Sequence, residues 1–84
     1  MHKRNDDLLT SRLEDAADEG MSFILWSELY RWYETKKIAA GTRRDLAQRW
    51  DELTNGQHGD LQQIESRGGI YIFGSKSPEP IYED

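Results

Sequence analysis

The side chains best suited to meeting a nucleic acid lie close together in this sequence. Lys36, Lys37, Arg43, Arg44 and Arg49 share the segment 36–49 with a single acid, Asp45, so that segment carries +4. Gln48 adds an amide one helical turn beyond Arg44, and Arg67 stands alone further along. The whole chain, by contrast, has a formal net charge of −5. Phosphate contacts need Lys and Arg, so the total argues against a nucleic-acid binder while the distribution argues for one. The acids collect elsewhere: Asp6, Asp7, Glu14, Asp15, Asp18, Glu19 and Glu28 towards the start, and Glu79, Glu83 and Asp84 at the end.

Other chemistry finds little support. His58 and Asp60 are neighbours with Glu65 not far on, and His2 is the other histidine. Two histidines so placed make neither a metal-ligand set nor a nucleophilic triad. The chain has no cysteine, which removes disulfides and thiolate ligands and fits a reducing cytoplasm. Gly68-Gly69 is not followed by a helical pattern, so it is no phosphate-binding loop. The expectation is a chain without catalytic residues, metal or cofactor. No apolar run resembles a signal peptide or is long enough to span a bilayer.

The basic residues need a helix to position them. Thr42 is a good N-cap, and Asp45 three residues on gives a variant of the capping box. Leu46, Trp50 and Leu53 then fall at i, i+4 and i+7, one apolar stripe. On a helix over 42–53, Arg44 and Gln48 point away from that stripe, with Arg43 and Arg49 on its flanks. Arg49 is also spaced to pair with Asp45 or Glu52.

Before it, Ile38-Ala39-Ala40-Gly41 reads as a tight turn. A second helix precedes that turn and runs to about Lys37, with Leu25, Leu29 and Trp32 as one stripe and Trp26, Tyr30 and Tyr33 as another. Two stripes make a wide apolar face, enough for core packing and for a dimer contact through a tyrosine. Lys36 and Lys37 would suit that helix's C-terminal dipole. Residues 22–25 fit either a short strand or the first turn of helix two, with Ser22 as cap. A first helix over 6–19 is capped at Asn5-Asp6-Asp7, carries Leu9, Leu13, Ala16 and Ala17, stops at Gly20 and turns an acidic face to solvent. Residues 1–5 form a flexible lead.

After the break at 54–59, Leu61–Ser66 and Ile70–Phe73 are strand candidates. Arg67-Gly68-Gly69 joins them, the glycines supplying the positive φ of a tight hairpin turn. Adjacent Gln62 and Gln63 mark the first strand as an edge or a bulged one. Residues 75–84 form an acidic, proline-containing tail whose apolar pair, Ile81-Tyr82, could dock or stay free.

Helix, a strand-or-helix run, helix, tight turn, helix and hairpin is the order of the winged helix-turn-helix domain, and over residues 6–74 the chain resembles that superfamily in layout. Ser27-Glu28-Leu29, the turn from Ile38 to Gly41, the helix 42–53 and the run Ile64 to Ile72 carry the resemblance. It implies an α+β fold of three helices followed by a two-stranded β-hairpin wing. It implies a sequence-specific double-stranded DNA-binding protein, a transcriptional regulator. The small size points to a prokaryote, phage or plasmid, and the limited affinity and site length of one small module point to a homodimer. The helix 42–53 would enter the major groove by its N-terminal part. Arg43, Arg44 and Gln48 would read bases there, since Arg matches guanine O6 and N7 and Gln matches adenine. Lys36, Lys37, Thr42 and Arg49 would support them, and Arg67 at the wing tip would reach backbone or minor groove. The acidic remainder keeps open an alternative, a protein-interaction module on the same fold.

Overall fold

Helix formation starts earlier than the Asn5-Asp6-Asp7 signal predicts. In the computed structural model, which describes residues 1–81, α1 spans Lys3–Glu19. His2 caps it, its Nδ1 accepting from the Arg4 N–H. Residues 3–5 are therefore helical and not a flexible lead, and Asp6 sits in the first turn, where the dipole favours it. Gly20, at φ 93°, ends the helix with its N–H on the Ala16 carbonyl.

Residues 22–25 form a strand, β1 (Ser22–Leu25). What decides between strand and helix is a partner far away in sequence: β1 pairs antiparallel with β3 (Gly69–Gly74), from Ser22↔Ile72 to Leu25↔Gly69. No local periodicity carries that information. The next residue opens α2 (Trp26–Trp32), where the Leu25 N–H donates to Glu28 Oε1 at 3.1 Å in the manner of a capping box.

α2 stops well short of Lys37. Glu34 takes φ 51°, and the Thr35 N–H closes onto the Tyr30 carbonyl. Lys36 and Lys37 consequently lie in the loop and not on a helix end. The connection occupies residues 33–39, longer than the turn 38–41 that the sequence predicts.

α3 spans Ala40–Thr54 with Ala39 at its N-cap and no side-chain cap bond. Thr42 thus sits inside the first turn and caps nothing, and Gly41 is helical. Leu46 and Trp50 are buried as the stripe requires, but Leu53 is 40% exposed and Thr54 is buried in its place. Thr54 lies at i+8 from Leu46, and its hydroxyl is satisfied by donating to the Trp50 carbonyl at 2.9 Å.

The hairpin pairs β2 (Leu61–Glu65) with β3, from Leu61↔Gly74 to Glu65↔Ile70 without interruption. β2 is an edge strand, as its glutamines suggest, and it has no bulge. The turn closes through Ser66, whose N–H donates to the Gly69 carbonyl at 2.8 Å. Gly68 and Gly69 do not take positive φ; the glycines that do are Gly20, Gly56 and Gly59.

The result is an α+β fold of three helices and a three-stranded antiparallel sheet ordered β1-β3-β2, with β1 interrupting the helices. This corrects the expected two-stranded hairpin. The core joins Leu9 and Leu13 of α1, Ile24, Leu29 and Trp32, Leu46 and Trp50, and Ile70 and Ile72. Among the described residues no helix is long and apolar enough to cross a membrane. Ile81 is fully exposed, while Tyr82, Glu83 and Asp84 lie outside the described residues, and with them the docking of the Ile81-Tyr82 pair.

Candidate nucleic-acid interface

Burial of Leu46 and Trp50 fixes the rotation of α3. The indole of Trp50 is fully buried and its Nε1–H donates to the Gly59 carbonyl at 3.0 Å. The opposite side, with Arg44, Ala47, Gln48 and Asp51, faces solvent. Arg44 and Gln48 share an open depression with Gly41 and Asp45. The expected outward pair is thus exposed together on the first half of the helix.

The other candidates divide into free and engaged groups. Lys36 and Lys37 are exposed in the loop leading into α3, and Arg67 is exposed at the hairpin turn. Among the described residues, none of these three, nor Arg44, forms a salt bridge. Arg43 instead pairs with Glu65 of β2 at 3.0 Å, tying the first turn of α3 to the hairpin. Both partners are about half exposed, so the pair contributes at most about 1 kcal/mol and is easily exchanged. Gln48 donates to Glu52 Oε1 at 3.1 Å, another exposed and replaceable contact.

Arg49 is engaged inward. It bridges Asp45, at 2.7 Å from Nε, and Asp6 of α1, so that α1 and α3 share one cation. Burial would lower its pKa, but the hydrogen bonds it donates to both carboxylates raise it well above the ordinary arginine range. The Tyr33 hydroxyl completes the cluster by donating to Asp45 Oδ2 at 2.7 Å, and Tyr33 is pushed up by burial and by that carboxylate. Asp45 therefore serves this cluster and not the helix cap. Thr42 is half-buried beside the cluster, on a cleft also lined by Met1, Trp32, Glu34 and Asp45.

The partners of Arg43 and Arg49 leave no trace in local sequence, since Glu65 and Asp6 are 22 and 43 residues away. Only the Asp45–Arg49 spacing signals itself. His58 packs its ring against Trp50, centroids 6.1 Å apart, which gives it a place in the packing.

Two carboxyls are held below their ordinary range. For Asp45, burial would raise the pKa, but the hydrogen bonds from Arg49 and Tyr33 outweigh it. For Glu28, the Arg12 hydrogen bond leads, opposed in part by burial. A carboxyl whose folded pKa is depressed contributes stability that is present above its unfolded value and lost as pH falls through the folded value. The melting temperature should accordingly hold steady near neutrality and fall once the pH drops below the ordinary values of 4.5 and 3.8. Melting curves of Glu28→Gln should show a flatter acid limb; an unchanged limb would remove Glu28 from this account.

Comparisons of the chain with protein-family models, with curated proteins and with solved structures returned no match.

Proposed function

We propose that this chain is a sequence-specific double-stranded DNA-binding protein, a regulator of the winged helix-turn-helix type. The observation that carries the proposal is the outward pair Arg44 and Gln48 on the first half of α3, together with three further exposed cations, Lys36, Lys37 and Arg67, that form no salt bridge among the described residues. The element order supports it, with a hairpin following α3 and joined to it through Arg43–Glu65. In this reading the N-terminal part of α3 lies in the major groove, Arg44 binds guanine, and Gln48 leaves Glu52 for adenine. The first-turn N–H groups, which no side chain caps, favour a phosphate through the helix dipole. Lys36, Lys37 and Thr42 flank that phosphate, and Arg67 meets the backbone from the wing. Arg43 joins once its pairing with Glu65 is exchanged. Arg49 acts at one remove, by holding α1 against α3.

Titration against labelled random duplex at several salt concentrations tests the proposal. Binding at low salt should weaken linearly in log-log form as salt rises, since counterions are released with each neutralised phosphate. On a selected site, Arg44→Ala should cost about 1–3 kcal/mol of discrimination at one base pair. Absence of binding at low salt, or binding without a salt slope, overturns it.

One observation favours a second reading, a protein-interaction module. Arg43 and Arg49 are both tied to carboxylates, and α1 turns Asp7, Glu14, Asp15, Asp18 and Glu19 outward on a chain of net charge −5. Recovery of a stoichiometric protein partner with no DNA binding would select it.

A further inference from the structure

The two edges of the sheet are unlike each other. The order β1-β3-β2 leaves β1 and β2 outermost. In an antiparallel pair, successive residues turn their backbone groups alternately towards the partner strand and away from it. On β1 the outward residues are Phe23 and Leu25, and one backbone group of each is occupied. The Phe23 carbonyl accepts from Arg12 Nη1 at 3.0 Å, and the Leu25 N–H donates to Glu28 Oε1 at 3.1 Å. Arg12 and Glu28 are themselves salt-bridged, so one ion pair lies along this edge and engages part of it.

On β2 the pattern is fixed at both ends. The Ser66 N–H donates to the Gly69 carbonyl and the Ser75 N–H to the Asp60 carbonyl, each at 2.8 Å. These bonds set Gln62 and Ile64 towards β3 and leave the N–H and C=O groups of Leu61, Gln63 and Glu65 pointing out. Among the described residues, no side chain or loop hydrogen bond reaches those six groups. Of the usual protections of an open edge the strand carries one charge, Glu65, and neither a proline nor a bulge.

We propose that β2 pairs antiparallel with β2 of a second copy of this chain, joining the two sheets into one across a two-fold axis. The occupant is a second copy because the strand is complementary to itself. With the axis at Gln63, that residue faces the partner's Gln63, and Leu61 faces the partner's Glu65. All six outward groups of each strand then pair. Each chain carries −5, yet in this register the two Glu65 side chains are separated, each opposite a leucine. A slip that set Glu65 against Glu65 would place like charges directly opposite and break most of the pairing. On the other face, Ile64, 54% exposed, would lie opposite the partner's Gln62 and extend the cross-sheet row Phe23–Tyr71–Ile64. The pairing uses none of Arg44, Lys36, Lys37 or Arg67, so it stands whether or not the chain binds DNA.

Sedimentation equilibrium of the full chain from micromolar to millimolar concentration tests it. A monomer–dimer equilibrium is expected. Gln63→Pro removes an outward N–H and no bond to β3, a position at which an edge strand tolerates proline. It should be monomeric with an unchanged far-ultraviolet spectrum. Because that variant could fold poorly, Gln63→Cys supplies an independent readout in a chain without other cysteines. Opposed residues of a hydrogen-bonded pair lie at about 5.5 Å between Cα atoms, a spacing that suits a disulfide. On oxidation Gln63→Cys should become a covalent dimer at least tenfold faster than Ser11→Cys, on the exposed side of α1. Overturning results are a monomer at every concentration, a dimer undisturbed in folded Gln63→Pro, or equal cross-linking of the two cysteine variants.

Discussion

Trp50→Ala is expected to lower the melting temperature by roughly 15–30 °C, which for a chain of this size removes most of the folded state. Trp50 is fully buried and belongs to the cluster in which α1, α2, α3 and the sheet meet. Truncation of a buried tryptophan costs about 3–5 kcal/mol, through lost transfer energy and the cavity left behind. A domain of this length has only about 4–12 kcal/mol to lose. The indole also has a polar task. Its Nε1–H is a partner for the Gly59 carbonyl, in the loop that leads from α3 to β2. Trp50→Phe separates the two contributions: most of the apolar area returns, while the carbonyl loses its donor, at about 1–3 kcal/mol. The order of urea midpoints should therefore be wild type, then Trp50→Phe, then Trp50→Ala. A Trp50→Ala midpoint within error of wild type would mean that α3 is not anchored where the structure anchors it.

That anchoring was legible in the sequence because it is local. Leu46 and Trp50 recur at helical spacing, and their burial alone determines that Arg44 and Gln48 face out. The hairpin was legible for the same reason, Ile70 to Phe73 being β-branched and aromatic. What escaped was decided at a distance. Ser22–Leu25 is a strand because β3 lies beside it, and Lys36 and Lys37 leave α2 because Glu34 turns the chain. Arg43 and Arg49 have the composition of DNA contacts, yet each meets a carboxylate from another element, Glu65 and Asp6. Of the basic segment, the charges without a salt bridge among the described residues are Lys36, Lys37 and Arg44. A charge count along the chain registers guanidinium groups without registering where they are spent. The candidate site is consequently narrower than the sequence suggests and centred on Arg44.

Gly69→Ala should be strongly disruptive for a single added methyl in the sheet, costing about 3 kcal/mol. The sequence motif Gly68-Gly69 predicts left-handed backbone at both positions, and neither adopts it. Gly69 is needed for closeness instead. A Cβ there would fall on the carbonyl oxygen of Ile24 and lie 2.9 Å from Leu25 Cα. These are backbone atoms and cannot swing aside as a side chain could. Gly69 faces Leu25, the last residue of β1, where the chain turns directly into α2. Moving β1 away would strain the bond from the Trp26 N–H to the Gly68 carbonyl and draw the fully buried Ile24 out of the core. Gly68 is the control. A Cβ at that position meets nothing within 4 Å, so Gly68→Ala should stay within about 0.5 kcal/mol of wild type. Urea midpoints of the two variants decide between the explanations. If left-handed backbone were the requirement, both alanines would destabilise; if close approach of β1 is the requirement, only Gly69→Ala will. The second outcome would also establish β1 as part of the sheet in solution, because the clash exists only when β1 lies against β3.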